Sequence, residues 1–81
     1  MEREELKSIV ESLLFVADGP QTLQRIGEIL DRADRETLPG VMTELQSDYE
    51  SQNRGIRLVE VAGGYQLRTA KTNADWVKKF L

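Results

Sequence analysis

Residues 56–69 read IRLVEVAGGYQLRT, and this stretch has the most specific pattern in the 81-residue chain. Two short runs rich in strand-forming residues flank a pair of glycines, which is typical of a β-hairpin. We expect Gly63 and Gly64 to form the turn, because glycine adopts the positive φ that such turns require. This turn would pair Ala62 with Tyr65 and the rest of the two strands in the same register.

The predicted hairpin has one apolar face and one mixed face. The apolar face carries Ile56, Leu58, Ala62, Tyr65 and Leu67. The mixed face carries Arg57, Val59, Val61, Gln66 and Arg68. A lone hairpin is marginal in water, so the apolar face must pack on the preceding helices. Val59 and Val61 need cover as well, either from the last helix of the chain or from a second copy of the domain.

Three helices are expected upstream of the hairpin. The first has its apolar stripe at Leu6, Ile9, Val10, Leu13, Leu14 and Ala17. Residues 18–20, Asp-Gly-Pro, should end it, with Gly19 as a left-handed exit. Thr22 can cap a short second helix, in which Gly27 predicts a close contact between helices. Phe15 lies opposite the first stripe, and we expect it to tuck against a terminal segment.

A third helix should follow residues 31–36, with Thr37 as its cap and Pro39 in its first turn. Its core face would be Leu38, Val41, Met42, Leu45 and Tyr49. Residues 53–55, Asn-Arg-Gly, should end it. A last short helix is expected to start near Asn73 and to carry Trp76, Val77, Phe80 and Leu81.

Three helices followed by a hairpin give the α+β order of a winged helix-turn-helix, with residues 1–81 as one domain and a short C-terminal helix after the wing. In a DNA-reading domain of this class the third helix enters the major groove. Residues 34–54 carry two positive and five negative side chains. We therefore do not expect this helix to bind in the major groove of DNA, where phosphates favour Lys and Arg. The wing is different, since Arg57, Arg68 and Lys71 could contact phosphates or an acidic partner. Alternatively, these residues form a solvated surface whose charges only keep the protein soluble.

The residue types present argue against catalysis. The chain has no Cys and no His, which removes the usual thiolate, metal ligand and general base. The carboxylates of Glu4-Glu5 and Asp31/Asp34 have no pocket that would shift their pKa, and Ser8 and Ser12 have no activating base. We therefore expect no enzyme activity, cofactor, metal or small-molecule substrate. No apolar run is long enough for a membrane span, and the acidic N-terminus is unlike a signal peptide.

The net charge of −3 hides an asymmetry along the chain. Residues 1–53 hold five positive and twelve negative side chains, which gives −7. Residues 54–81 hold six positive and two negative side chains, which gives +4. An acidic helical part next to a basic wing favours oriented docking on a partner.

Three segments resemble the bacterial ScpB family of segregation and condensation proteins. They are residues 11–20, ESLLFVADGP; residues 54–69, RGIRLVEVAGGYQLRT; and residues 74–77, ADWV. The second segment is the most specific because of its length. Gln21 departs from the pattern, in which an apolar residue is usual.

The resemblance implies a non-catalytic scaffold domain. Proteins like this have two winged-helix domains in tandem, so this chain would be the N-terminal half of a longer protein. They form homodimers and join the kleisin ScpA and, through it, an SMC ATPase in a condensin-like complex. That complex acts in chromosome condensation, segregation and partition during the cell cycle and cell division. The expected location is the cytoplasm, associated with the nucleoid.

The leading hypothesis is homodimerisation together with ScpA binding, with Val59, Val61, Trp76 and Phe80 at the dimer or partner interface. One alternative is a winged-helix DNA-binding regulator that uses its basic wing, although direct DNA contact is expected to be weak at most. Another is a peptide-docking module that stays monomeric.

Overall fold

The computed structural model describes all 81 residues and contains four α-helices and one two-stranded antiparallel sheet. The helices are α1 (Arg3–Val16), α2 (Leu23–Gly27), α3 (Arg32–Ser51) and α4 (Ala74–Phe80). The strands are β1 (Ile56–Val61) and β2 (Gly64–Thr69), and a 3-10 turn (Lys71–Asn73) precedes α4. The predicted element order is therefore confirmed. No helix is long and apolar enough to cross a bilayer.

The core lies where α1, α2 and α3 meet the inner face of the sheet. Nine buried apolar side chains form it: Leu6, Val10, Leu14, Ile26, Leu38, Val41, Met42, Leu45 and Leu58. Leu58 is the only one of them from the hairpin, and the partly buried Tyr65 and Leu67 of the hairpin pack against this core as well. The side-chain amide of Gln46 adds a hydrogen bond to the carbonyl oxygen of Leu58 at 3.4 Å. The predicted apolar stripes of α1 and α3 are confirmed in this arrangement.

The start of α3 differs from the sequence prediction. The helix begins at Arg32, where Asp31 is the cap and its Oδ1 accepts a hydrogen bond from the Asp34 N–H at 3.0 Å. This bond lowers the pKa of the Asp31 carboxyl. The predicted cap at Thr37 is wrong, and Pro39 lies inside the helix. Residues on both sides of Pro39 bury side chains on one face, so tertiary packing holds the helix through a residue that cannot donate to it.

The ends of the helices follow local rules more closely. Thr22 caps α2 by accepting a hydrogen bond from the Arg25 N–H, as predicted. After α3, Asn53 takes a left-handed φ of 49°, and the N–H groups of Asn53 and Arg54 bond back to the carbonyls of Glu50 and Tyr49. This pair of bonds is a Schellman ending.

The exit from α1 needs no left-handed residue. The predicted role of Gly19 is wrong, because Ala17 ends the helix in an extended conformation with ψ of 143°. The chain then runs towards β2, where Gln21 and Tyr65 exchange two main-chain hydrogen bonds of 2.8 Å.

The contact predicted at Gly27 is confirmed. A Cβ atom at this position would lie 2.9 Å from Cγ of Arg35 and 3.7 Å from Cδ1 of Leu38. The glycine therefore lets α2 and α3 approach closely.

The hairpin turn is one residue earlier than predicted. Ala62 and Gly63 form it with φ values of 52° and 79°, and Val61 pairs with Gly64. The cause lies at Gly64, where a Cβ atom would approach the main chain of Gln21 to 2.9 Å. The bridge from Gln21 to the sheet thus requires glycine within β2, and Ala62 takes the turn position instead.

The corrected turn moves the pairing but not the faces. Leu58 pairs with Leu67 instead of Thr69, and Glu60 pairs with Tyr65 instead of Leu67. Each residue meets a partner two positions away from the predicted one. Because side chains alternate with period two, a shift of two residues keeps every side chain on its predicted face.

Candidate interaction surfaces

Cations in residues 1–53 form ion pairs, whereas those in residues 54–81 do not. Four of the five cations in residues 1–53 pair with a carboxylate, including Arg3 with Glu44 at 2.7 Å and Lys7 with Asp48 at 2.8 Å. The pairing with Asp48 raises the pKa of Lys7. None of the six cations in residues 54–81 has an ion-pair partner within the chain.

The three residues that were predicted to contact phosphates or an acidic partner lie in different environments. Arg57 is half-buried and donates to the carbonyl oxygens of Arg54 and Ile56 at the base of the wing. Arg68 donates to the side-chain oxygen of Gln66 at 3.0 Å, and Lys71 is exposed. Arg57 and Arg68 are direct cross-strand partners. Like charges in that position repel, and no carboxylate of this chain relieves them.

The four predicted interface residues do not form one packed cluster. Val59 and Val61 are half-buried and line an open groove of about 720 Å³ along β1, which Arg57, Arg68 and Lys71 line as well. Trp76 and Phe80 lie on α4 outside that groove and are 70% and 90% exposed.

The last helix leaves the outer face of the wing uncovered. The main contact of α4 is with the 3-10 turn before it, and only Val77 among its residues is half-buried. Trp76 contacts Lys79, whose ammonium lies 4.7 Å from the ring centre. Val59 and Val61 were expected to pack against either the last helix or a second copy of the domain. The last helix does not pack on them.

A second apolar surface was not predicted from the sequence. Phe15 is 80% exposed, so the expectation that it tucks against a terminal segment is wrong. An exposure this high means that no terminal segment covers the ring. Phe15 and Val16 instead form the wall of a groove of about 760 Å³ between α1 and the sheet. The signal in the sequence was that both residues are apolar and lie off the core stripe.

Tyr49 and Glu11 also line this groove. The Tyr49 hydroxyl donates a hydrogen bond to the Glu11 carboxylate. Burial and this bond raise the pKa of Tyr49 to about 12. Because the Glu11 carboxylate already accepts from Tyr49, it is partly occupied within the chain.

The residues weighed for catalysis have structural partners. Glu4 pairs with Lys7, Asp31 caps α3, and Asp34 is buried near the amino group of Met1 at 3.8 Å. The Ser12 hydroxyl donates to the carbonyl oxygen of Ser8 within α1. No cluster of carboxylates has the arrangement that holds a metal ion. The two grooves and α4 are the candidate interaction surfaces.

The architecture is that of a winged helix-turn-helix domain that presents apolar and basic surfaces. A family profile described as segregation and condensation complex subunit ScpB matches residues 8–81. The chain is 43% identical over 79 residues to segregation and condensation protein B of Syntrophotalea carbinolica, which covers 98% of this chain and 40% of that protein. The chain belongs to the ScpB family, and the resemblance found in the sequence is confirmed.

Solved structures agree with this assignment. A crystal structure of a dimer of an ScpB N-terminal domain complexed with a ScpA peptide superposes with a TM-score of 0.82 at 38% identity, over 96% of both chains. ScpB from Mycobacterium tuberculosis superposes with a TM-score of 0.90 at 22% identity, over 99% of this chain and 49% of that one, which supports the fold alone. The chain spans about 40% of the length of the curated relative from Syntrophotalea carbinolica.

Proposed function

We propose that this domain is a scaffold without catalytic activity in a bacterial SMC–kleisin complex. It would act in chromosome condensation and segregation by forming homodimers and binding the kleisin ScpA, which links it to the SMC ATPase. Membership of the ScpB family carries the proposal. The related N-terminal domain that crystallised as a dimer with a ScpA peptide supports both interactions. Such a complex would act in the cytoplasm, at the nucleoid, and we expect the domain there.

The dimer contact is proposed at the outer face of the wing and α4. Val59 and Val61 are half-buried in the open groove along β1, to which α4 contributes no residue, and Trp76 and Phe80 are exposed on α4. A seven-residue helix is marginal in water by itself, so packing against a second copy would stabilise α4. The same contact would remove the apolar side chains from water.

Sedimentation equilibrium of the 81-residue chain tests this contact. Val61→Glu and Phe80→Ser should each shift the wild-type dimer to monomer, because each puts a polar group into the buried interface. Ile29→Glu is the matched control, since Ile29 is 61% exposed on a different surface and should leave the dimer intact. Circular dichroism should show that the helices of the core persist in all three variants, with at most the seven residues of α4 lost in the two that dissociate. A dimer that persists in both test variants would rule out this placement.

A direct role in reading DNA is not favoured. The third helix is acidic, and Arg57 of the wing is held by main-chain carbonyls, so only Arg68 and Lys71 of the three predicted contacts are exposed to a phosphate. Binding to duplex DNA at low salt, measured by fluorescence anisotropy, should stay weak. It should also change little when Arg57 and Arg68 are both replaced by Glu.

The prediction that residues 1–81 are half of a two-domain protein stays a prediction.

A further inference from the structure

The last helix lacks the packing that holds the other helices. α4 spans seven residues, and none of its side chains is buried. Trp76, Phe80 and the following Leu81 are 70%, 90% and 94% exposed, and the main contact of α4 is with the 3-10 turn before it. α2 is shorter, but Thr22 caps it and Ile26 lies in the core. The burial that stabilises the other helices is therefore missing from α4 within one copy.

Local interactions do not replace this burial. No side chain caps the start of α4 at Asn73. The contact of Lys79 with the Trp76 ring is the one side-chain interaction within the helix. Asp75 in the first turn and the lysines in the last suit the helix dipole, but exposed charges are screened by solvent and contribute little. Because the first helical turn fixes several residues for one hydrogen bond, isolated helices of fewer than about 12 residues are marginal in water.

The supported part of the chain ends at Ala70. This residue is 4% exposed, and its N–H donates to the carbonyl oxygen of Gly55 at 2.7 Å. After it, residues 71–81 are exposed except for the half-buried Val77. The segment 71–81 contributes no side chain to the core, so it can order or disorder while the rest of the fold stays intact.

We propose that residues 71–81 are a folding switch, in which α4 is largely unfolded in the monomer and folds as it docks on a second copy. This switch rests on the dimer contact of the proposed function and couples helix formation to association. Removal of Trp76 and Phe80 from water would offset the entropy that is lost when the segment orders. Each dimer would fold two segments, so its affinity would depend on the intrinsic helix propensity of α4.

Helix propensity at a position outside the contact tests the coupling. Lys78 lies on the side of α4 opposite Trp76 and Phe80, since successive helical residues turn by about 100°. Lys78→Ala and Lys78→Gly remove the same charge and differ in helix propensity, which favours alanine by about fivefold. Because two copies fold in each dimer, the dissociation constant of Lys78→Gly in sedimentation equilibrium should exceed that of Lys78→Ala by about 25-fold.

The same exchange in a supported helix is the matched control. Ser47 is exposed on α3, and core residues hold this helix in the monomer and the dimer alike. Ser47→Gly should unfold at a lower urea concentration than Ser47→Ala, but the dimer dissociation constants of the two should agree within about twofold. Equal dissociation constants for Lys78→Ala and Lys78→Gly would overturn the proposal.

Hydrogen exchange observes α4 in the monomer directly. The amides of residues 78–81 bond to carbonyls one turn earlier, and the amide of Ala70 lies just before the switch. In Val61→Glu, which should be monomeric, the amides of residues 78–81 should exchange within about threefold of the rates of an unstructured chain, while Ala70 stays protected. In the wild-type dimer the same four amides should exchange more slowly by about tenfold or more. Protection of α4 in the monomer would show that the helix folds before association, which contradicts the switch.

The outcomes separate this proposal from the one on which it rests. If Val61→Glu dissociates the dimer but the two Lys78 variants associate equally well, the dimer contact stands and the switch fails. If Val61→Glu and Phe80→Ser both stay dimeric, the copies meet elsewhere and the switch fails with the contact. If wild type is monomeric at every concentration, homodimerisation of this chain is wrong, and so is the switch. A difference confined to the Lys78 pair and absent from the Ser47 pair supports both proposals.

Discussion

Residues 1–53 and residues 54–81 differ in packing and in charge. The first region supplies eight of the nine core residues, and four of its five cations are ion-paired. The second supplies only Leu58 to the core and leaves all six of its cations without an ionic partner. The helical region therefore holds the fold, whereas the wing and α4 keep apolar and basic groups available for other molecules.

The largest contrast between the regions should appear in core truncations. Met42→Ala removes a fully buried side chain and should lower the free energy of unfolding by about 2–5 kcal/mol. Trp76→Ala removes a larger side chain that is 70% exposed and should change it by less than about 0.5 kcal/mol. Urea unfolding at low protein concentration, where association does not contribute, measures both. A loss from Trp76→Ala as large as that from Met42→Ala would mean that α4 packs on the chain's own core.

Pro39 is a weak point inside the helical region. Pro39→Ala should raise the free energy of unfolding by about 2 kcal/mol, because proline in a helix interior is less favourable than alanine by about 3 kcal/mol. The greater freedom of alanine in the unfolded chain offsets part of this gain. Thermal unfolding measures the shift, with Ser47→Ala as a control on the exposed side of α3. A lower unfolding temperature for Pro39→Ala would show that the proline is not in a helical position.

The register of the wing can be tested at its turn. Ala62→Gly should stabilise the chain by about 1 kcal/mol, since alanine at φ of 52° is strained. Gly64→Ala should destabilise by a similar amount or more, because its Cβ would meet the main chain of Gln21 at 2.9 Å. Chemical denaturation of the two variants compares them. The opposite order of stability would favour the turn at Gly63 and Gly64.

The smallest expected effect is on alkaline stability, because Tyr49, at the contact between α1 and α3, is only half-buried and solvent screens its interactions. The pKa of Tyr49 is about 12 in the folded chain against 10.0 for a free tyrosine, so the folded chain holds a proton that the unfolded chain loses. The free energy of unfolding should therefore fall as the pH rises from 10 to about 12. The variant Tyr49→Phe should flatten this decline. A similar decline in that variant would assign it to Lys7 or Tyr65, whose pKa values are raised as well.

Ultraviolet titration of the phenolate isolates the same group. Tyr65→Phe leaves Tyr49 as the only tyrosine, and it should ionise near pH 12. Adding Glu11→Gln should lower that pKa, because the carboxylate that accepts the hydroxyl hydrogen is gone. Burial should keep the pKa above 10.0 even then. Ionisation near pH 10 in Tyr65→Phe would contradict the contact between Tyr49 and Glu11.

Local patterns were enough to predict the order of elements, the core faces of α1 and α3, the cap at Thr22 and the close contact at Gly27. They failed where two local signals competed. Asp31 and Thr37 are both good caps, and a proline after Thr37 favoured the later start. Packing on both sides of Pro39 decided for Asp31. The four predicted interface residues stay a prediction, and the groove at Phe15 was missed because an exposed aromatic at a helix end has no pattern of its own.

By itself the sequence determined the winged-helix order, the family and the separation of an acidic helical part from a basic wing, because periodicity, turn residues and charge are all local quantities. It also determined the faces of the wing, since a register error of two residues leaves the alternation unchanged. Only the tertiary structure decided which residues make the turn and which edge of β2 is free. Both depend on Gln21, which lies more than forty residues before its partner and bonds to it through the main chain. Main-chain pairing over that distance leaves almost no trace in the side chains, and packing in three dimensions is what fixes it.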